Sequence, residues 1–367
     1  MQAIVSDKKS GDYPASSLSF YNQRAMTAFL SIQNDVSLRQ FNTFGIDATA
    51  AAYLRVESVA DLQTVRRNPT LVEMPRLVLG GGSNILLTQN FPGLVLHIGL
   101  RGLEIIGADW QATYVRAAAG ESWHELVMWT LERNLGGLEN LSLIPGTVGA
   151  APVQNIGAYG AELKDCFHSL LAFDFETGEI VTFFKAECAF GYRDSIFKHA
   201  LRDRMAILEV TFALPKNWQP NLGYAELAQE LATRDVPALE PRDVCEAVMA
   251  IRRRKLTDPA VMGNAGSFFK NPTVSPSARD VLLKSHSDLP SYSQPDGSYR
   301  LAAGWLIDQC GWKGKNIGAA GVSATQALVL VNRGGASGAD IVRLAQQIQA
   351  DVQERFGVRL EPEPLFV

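Results

Sequence analysis

The side chains best suited by type to do chemistry are a lone serine, an arginine in an aromatic setting and a glutamate in an apolar tail. The serine is Ser267, within Gly263-Asn264-Ala265-Gly266-Ser267-Phe268-Phe269-Lys270-Asn271-Pro272. It is not a nucleophile elbow, because that turn needs a glycine where Phe269 stands. A hairpin turn capped by an aromatic pair is the plainer reading. The arginine is Arg193, in Gly191-Tyr192-Arg193-Asp194-Ser195. A guanidinium is a natural fork for a carboxylate; a surface pair with Asp194 is the alternative. The glutamate is Glu363, in Leu360-Glu361-Pro362-Glu363-Pro364-Leu365-Phe366-Val367. Such tails usually fray, but one ending Leu-Phe-Val is expected to dock and carry Glu363 into the body. The basic run Arg252-Arg253-Arg254-Lys255 reads either as a helix end that complements the helix dipole or as a grip on a diphosphate.

Two further stretches are dense in glycine. Gly80-Gly81-Gly82-Ser83-Asn84 follows the strand-like Arg76 to Leu79, and a long uncharged segment runs from Pro145 to Gly160. Glycine permits positive φ and lets backbone N–H groups approach an anion. The first stretch could be a plain turn. It is not a dinucleotide fingerprint of the Rossmann kind, because Ile85 replaces the third glycine and a strand, not a helix, follows. The second carries only amides, hydroxyls and small or apolar side chains. That suits wrapping a pyrophosphate and a ring; a buried turn of small residues is the alternative.

The elements that must position these residues are short strands with few helices. Strands are expected at Leu94 to Ile98, Leu170 to Phe175, Ile180 to Phe184, Ile207 to Leu214 and Ala327 to Asn332. A helix should start at Ser122 with a Ser122/Glu125 capping box, bury Trp123, Leu126, Val127, Thr130 and Leu131, and stop at Gly136-Gly137. Further helices are expected over Asp243 to Lys255 and Leu301 to Cys310. Ile341, Leu344, Ala345, Ile348 and Val352 form a helical stripe before Gly357. Met26 to Ile32 suggests an amphipathic turn. This pattern argues for α+β, not regular βαβ alternation.

Composition narrows the function classes. The chain has 367 residues, a net charge of −4 and 47% hydrophobic residues. Nothing in that balance favours nucleic acid. No apolar run reaches the roughly 18 residues of a membrane span. Cys166, Cys188, Cys245 and Cys310 are scattered, which fits neither a disulfide framework nor a zinc site and points to reduced thiols in the cytoplasm. The dispersed histidines include no HExxH, so no His or Cys metal site is expected. Spacing alone leads to a soluble α+β enzyme that binds a phosphate-rich cofactor or substrate; it does not give the reaction.

Taken together, the motifs resemble those of the UDP-N-acetylenolpyruvoylglucosamine reductases, flavoenzymes of peptidoglycan precursor synthesis. The matching segments are Asn42 to Asp47, Gly80 to Asn84, Gly137 to Gly160, Phe190 to Lys198, Gly263 to Pro272, Leu301 to Gly314 and Leu360 to Glu363. Thr257 departs from the proline common after Lys-Leu, and the residues before Asn42 form a longer extension than the family needs.

The resemblance implies two α+β FAD-binding subdomains of the vanillyl-alcohol-oxidase type, over 36–105 and 106–256. An extension (1–35) precedes them. A third α+β substrate-binding domain (257–357) and a tail returning to the flavin (358–367) follow. Non-covalent FAD would rest on Gly80, Gly81, Gly82, Ser83, Asn84, Gly146, Val148, Gly149, Ala150, Ala151, Asn155, Ile156 and Gly157. NADPH would reduce the flavin and leave, and the enolpyruvyl UDP-sugar would enter the same site. Ser267 would give the proton, while Arg193 and Glu363 stabilise the enolate. Tyr159, Tyr192, Tyr224, Lys255 and Asn271 would grip the UDP-sugar, with Tyr224 on a loop that folds over it. The family also implies a monomer. An oxidase on the same FAD fold, or a binding protein with a decayed site, would share the fold without this reaction.

Overall fold

The computed structural model describes residues 30–234 and 238–367; most of the expected turn at Met26 to Ile32 lies outside them. A first sheet is ordered Gln33–Ser37, Thr49–Val56, Phe91–Ile98, Arg76–Leu79. Phe91–Ile98 runs parallel to both of its neighbours. Helix Val59–Arg67 links Thr49–Val56 to Arg76–Leu79, starting at a capping box between Ser58 and Asp61 and burying Val59, Leu62 and Val65. This βαβ unit is a local exception to the irregular alternation read from the sequence.

A second, antiparallel sheet is ordered Ile180–Phe184, Phe167–Asp174, Met205–Pro215, Ala112–Ala118, Leu103–Ala108. A third is ordered Gly263–Ser267, Val329–Asn332, Ala320–Val322, Asn316–Ile317. Helix Gly338–Phe356 covers the third sheet with the predicted stripe, every member of which is buried, and ends at Gly357 in the left-handed conformation.

Away from its exposed edge strand Gln33–Ser37, the first sheet is buried on both faces. Leu94 and Leu96 join a core shared with the second sheet, while Val95 between them joins a core shared with the third. Successive strand residues point to opposite faces. An uninterrupted apolar run is therefore what a parallel strand covered on both sides requires. The first sheet thus sits as a wall between two cores, and the loops at its edge face a cleft.

Helix Trp123–Leu131 buries the predicted face, and Ser122 Oγ accepts the Glu125 N–H. It ends at Leu131, before Gly136-Gly137, with Asn134 at φ 56° in the turn that follows. Helix Ala303–Gln309 is shorter than expected, because Leu301 belongs to strand Tyr299–Leu301. That strand pairs with Thr273–Val274 and Ser291–Ser293 in a small sheet.

The described cysteines are free, and burial pushes the Cys166 and Cys188 thiols up to about 12. Among the described residues no helix is long and apolar enough to cross a membrane.

Candidate active site

Two glycine loops meet at the cleft. Gly80 to Asn84 leaves the first sheet, and Gly146 to Gln154 leads into a 3-10 turn over Val148–Gln154. They touch so closely that side chains are excluded: a Cβ on Gly81 would lie 2.8 Å from Gly146 Cα, and one on Gly80 would lie 2.3 Å from Thr147 Oγ1. Gly82 has φ +60°, and a Cβ there would fall 1.9 Å from the Phe41 carbonyl oxygen. Ser83 Oγ donates to the Pro145 carbonyl at 3.0 Å, which ties the loops together. The cleft they border has a volume of about 700 Å³.

Every glycine-loop position expected to touch a cofactor lines this cleft, except Val148 and Asn155. Val148 is fully buried in the core. Asn155 sits behind the loop at φ 44°. Its amide donates to Glu162 Oε2 (3.0 Å) and to the Gly191 carbonyl (2.9 Å), and its Oδ1 accepts the Lys164 N–H (3.0 Å). Asn155 therefore couples the glycine loop to the turn that carries Arg193.

That turn closes between Gly191 and Asp194, with Arg193 at φ 54°. Its conformation aims the guanidinium away from Asp194, whose carboxylate instead accepts from His199 Nε2 at 2.8 Å. The surface pair of Arg193 with Asp194 is thus replaced by a different one. Arg193 Nε lies 3.4 Å from Glu363 Oε1, and its Nη2 donates to the Gly157 carbonyl.

Glu363 arrives on the docked tail. The Lys270 N–H donates to the Glu361 carbonyl (2.9 Å) and the Glu363 N–H to the Phe268 carbonyl (2.8 Å). The tail then pairs in parallel with Ile85–Leu86 through Leu365–Phe366. Ser267 ends strand Gly263–Ser267 after a register shift, with Gly266 at φ +68°. This bulge re-aims the strand, and Ser267 lines the same cleft as Arg193 and Glu363. Burial pushes the Glu363 carboxyl above its usual range, against the opposing pull of Arg193, Lys198 and Lys270. Burial, with Lys270 nearby, holds the Lys198 ammonium below its usual range. Lys198 and Lys270 also line the cleft, and the sequence reading does not single them out. The signal for them is position alone, since each lies at or near the end of a motif that carries a predicted residue.

None of the five residues expected to grip the UDP-sugar lines the cleft itself. Tyr192 adjoins Arg193, with the Arg300 guanidinium 3.6 Å above its ring. Tyr159 and Tyr224 meet edge to face at 5.2 Å. Burial pushes the Tyr159 phenol up to about 12. Lys255 forms an ion pair with Glu226, and Asn271 Oδ1 accepts the Ala303 N–H at 3.0 Å. From the basic run it is Arg252 that reaches the cleft. Its Nη2 donates to the Leu143 carbonyl at 3.1 Å, and its buried Nε has no partner among the described residues.

A model described as an FAD binding domain matches residues 50–183. Another, the C-terminal domain of UDP-N-acetylenolpyruvoylglucosamine reductase, matches residues 258–367. The UDP-N-acetylenolpyruvoylglucosamine reductases of Burkholderia vietnamiensis and Burkholderia mallei are 55% and 56% identical to the chain over 338 residues, 92% of this chain and 97% of each relative. The chain belongs to the UDP-N-acetylenolpyruvoylglucosamine reductase family. The crystal structure of the Thermus caldophilus UDP-N-acetylenolpyruvylglucosamine reductase is similar at 25% identity and a TM-score of 0.63, covering 92% of this chain and 99% of that one.

As a member of this reductase family the chain is an FAD-dependent oxidoreductase. Its cleft fits the cofactor on independent grounds. The glycine loops pack against each other with no room for a Cβ, and their residues border the cleft directly. Thr147 Oγ1 is buried beside Gly80 with no partner among the described residues, as is Arg252 Nε. An orphaned hydroxyl and an orphaned guanidinium nitrogen suit a bound anion with acceptor oxygens.

Proposed function

We propose that this cleft reduces the enolpyruvyl group of a UDP-N-acetylglucosamine ether to the corresponding lactyl ether, giving UDP-N-acetylmuramate, with NADPH as reductant. The observation that carries the reading is the Arg193–Glu363 pair at 3.4 Å, facing the same cleft as Ser267 and both glycine loops. When bound along the glycine loops, FAD would supply the hydride equivalent drawn from NADPH, which the vinyl CH2 carbon of the substrate would take up. The chain's own residues manage the charge and the proton that this addition requires.

Negative charge builds on the carbon next to the substrate carboxylate and spreads into that carboxylate. Arg193 offers a fork to it, and fixed donors in a water-poor site are the strongest form of such help. Glu363 supports the same charge best when neutral, as a hydrogen-bond donor; burial favours that form. Ser267 Oγ–H supplies the proton to the carbon. A hydroxyl is a weak acid in water, but a carbanion-like enolate is a strong base. The hydroxyl recovers its proton from solvent. Reductant and nucleotide sugar use the same cleft in turn, and Tyr159, Tyr192, Tyr224, Lys255 and Asn271 hold the nucleotide sugar around its rim.

Anaerobic stopped-flow spectroscopy of the flavin band tests this. Ser267→Ala should leave bleaching by NADPH intact and slow recovery with the enolpyruvyl sugar by about 10² to 10⁴, the usual worth of a positioned acid. Equal recovery in variant and parent would remove Ser267 from the mechanism. A band that recovers only with oxygen would overturn the substrate assignment.

A further inference from the structure

Arg193 sits in a conformation that its own backbone resists. Its φ of 54° lies in the left-handed region, where the Cβ of an L residue is crowded and the strain must be held by the surroundings. That same conformation carries the guanidinium away from Asp194 and toward Glu363. The flanks of the turn are anchored to the glycine loop. Asn155 donates to the Gly191 carbonyl at 2.9 Å. Ser195, almost wholly buried, donates from Oγ to the Val153 carbonyl at 2.6 Å and accepts the Phe197 N–H at 3.3 Å. Val153 lies in the 3-10 turn Val148–Gln154, and Asn155 is its cap.

The peptide of Arg193 itself is held by Lys198. This lysine ends the short 3-10 turn Ile196–Lys198, and its Nζ donates to the Arg193 carbonyl at 3.2 Å. One motif thus supplies both the guanidinium and the ammonium that fixes its backbone. On the far side, a Cβ on Gly157 would lie 2.9 Å from Arg193 Nη1, so the guanidinium lies flush against the glycine loop. A small shift of its backbone therefore moves the fork off its target. The Lys198 ammonium also faces Glu363, Asp194, Glu361 and Lys270, so a direct effect of its charge on Glu363 is the competing account.

We propose that Lys198 is a positioning residue of the reduction step, holding Arg193 in its left-handed conformation so that the guanidinium meets the charge that develops on the substrate. This rests on the reading that Arg193 stabilises that charge. Misplacing a catalytic group by a fraction of an ångström is enough to slow a step severalfold or more. Loss of a hydrogen bond from a charged donor corresponds to about a tenfold change.

The test is a double-mutant cycle on anaerobic holoenzymes, read as single-turnover changes of the flavin band. Lys198→Met removes the donor at similar size, and Arg193→Ala removes the guanidinium. Lys198→Ala is read beside Lys198→Met, so the comparison stands if one of them fails to fold. Each Lys198 variant should slow recovery with the enolpyruvyl sugar about tenfold and leave flavin retention and bleaching by NADPH at the parental level. In the Arg193→Ala background the same change should bring no further loss, because no guanidinium remains to be placed. Parental recovery in the Lys198 variants would overturn the proposal. An equal loss in both backgrounds would also overturn it, and would assign Lys198 a direct effect of its charge. Lost flavin and slowed bleaching in both Lys198 variants would mark a merely structural role and overturn it as well. Parental recovery in Arg193→Ala alone would instead sink the reading of Arg193 on which the proposal rests.

Discussion

Replacing Gly81 with alanine isolates the contact between the two glycine loops. The added Cβ would stand 2.8 Å from Gly146 Cα and 3.4 Å from Gly146 carbonyl carbon. Carbon atoms rest at about 3.5 to 4.0 Å, so the loops must part by roughly 1 Å. Gly146 cannot easily turn aside: it holds φ +112°, and Ser83 Oγ lies 2.7 Å from where its own Cβ would be. Overpacking of this kind costs about 1 to 3 kcal/mol. If the strain falls on the cofactor-binding form, FAD affinity should drop by roughly one to two powers of ten. The assay is FAD titration of the apoprotein by fluorescence quenching, with melting of apo and holo forms alongside. Gly107→Ala is the control, because nothing lies within 4 Å of its Cβ position. We expect Gly81→Ala to weaken FAD binding while the apoprotein melts near the parent temperature. Parental FAD affinity in Gly81→Ala would refute the claim that close approach of these loops builds the cofactor cradle.

Two other outcomes follow from the tail. Burial raises the Glu363 pKa, so its neutral form persists to higher pH than in an ordinary carboxyl; a step that uses the neutral form is intact at low pH and lost as pH rises through that raised value. Single-turnover recovery of the flavin band by the enolpyruvyl sugar should therefore show an alkaline decline, and the residual activity of Glu363→Gln should lack it. An acidic decline in the parent would assign the working form to the anion instead. Leu365→Pro removes the N–H that donates to the Asn84 carbonyl at 2.9 Å. It should slow recovery by the sugar more than bleaching by NADPH, and equal effects on both would show that the tail serves the flavin alone.

Legibility follows periodicity. The buried face of helix Trp123–Leu131 and the stripe of helix Gly338–Phe356 are readable because their apolar residues recur at helical spacing. Helix Val59–Arg67 escapes such a reading: it offers only Val59, Leu62 and Val65 as a buried face, amid arginines and polar residues. The docking of the tail is legible in its own composition. Its partner Ile85–Leu86 is not, since parallel pairing between such distant segments leaves no local pattern. Asn155 enters the expected cofactor set through the resemblance, which carries the loop over residue by residue and does not distinguish its front from its back; in the structure Asn155 is buried behind the loop. Lys198 and Lys270 escape notice for a different reason, and the basic run does not say which of its members turns inward. Basic side chains ordinarily face water, and only the assembled cleft shows that Lys198, Lys270 and, from the basic run, Arg252 line it.

The docked tail also sets an order of events. The Asn84 amide and the Glu363 carbonyl that it reaches are separated by 279 positions in sequence. The partners of Gly81 and Arg193 for the flavin cradle, by contrast, lie within the first half of the chain. Closing a loop that long carries a large entropy cost before any contact rewards it. A chain growing from its N-terminus therefore has both glycine loops in hand before the carboxyl opposite Arg193, which comes only with residues 361–366 and their docking between Phe268 and Ile85. The glycine loops and the buried carboxyl of one cleft thus come from opposite ends of the chain, and only the finished chain holds them together.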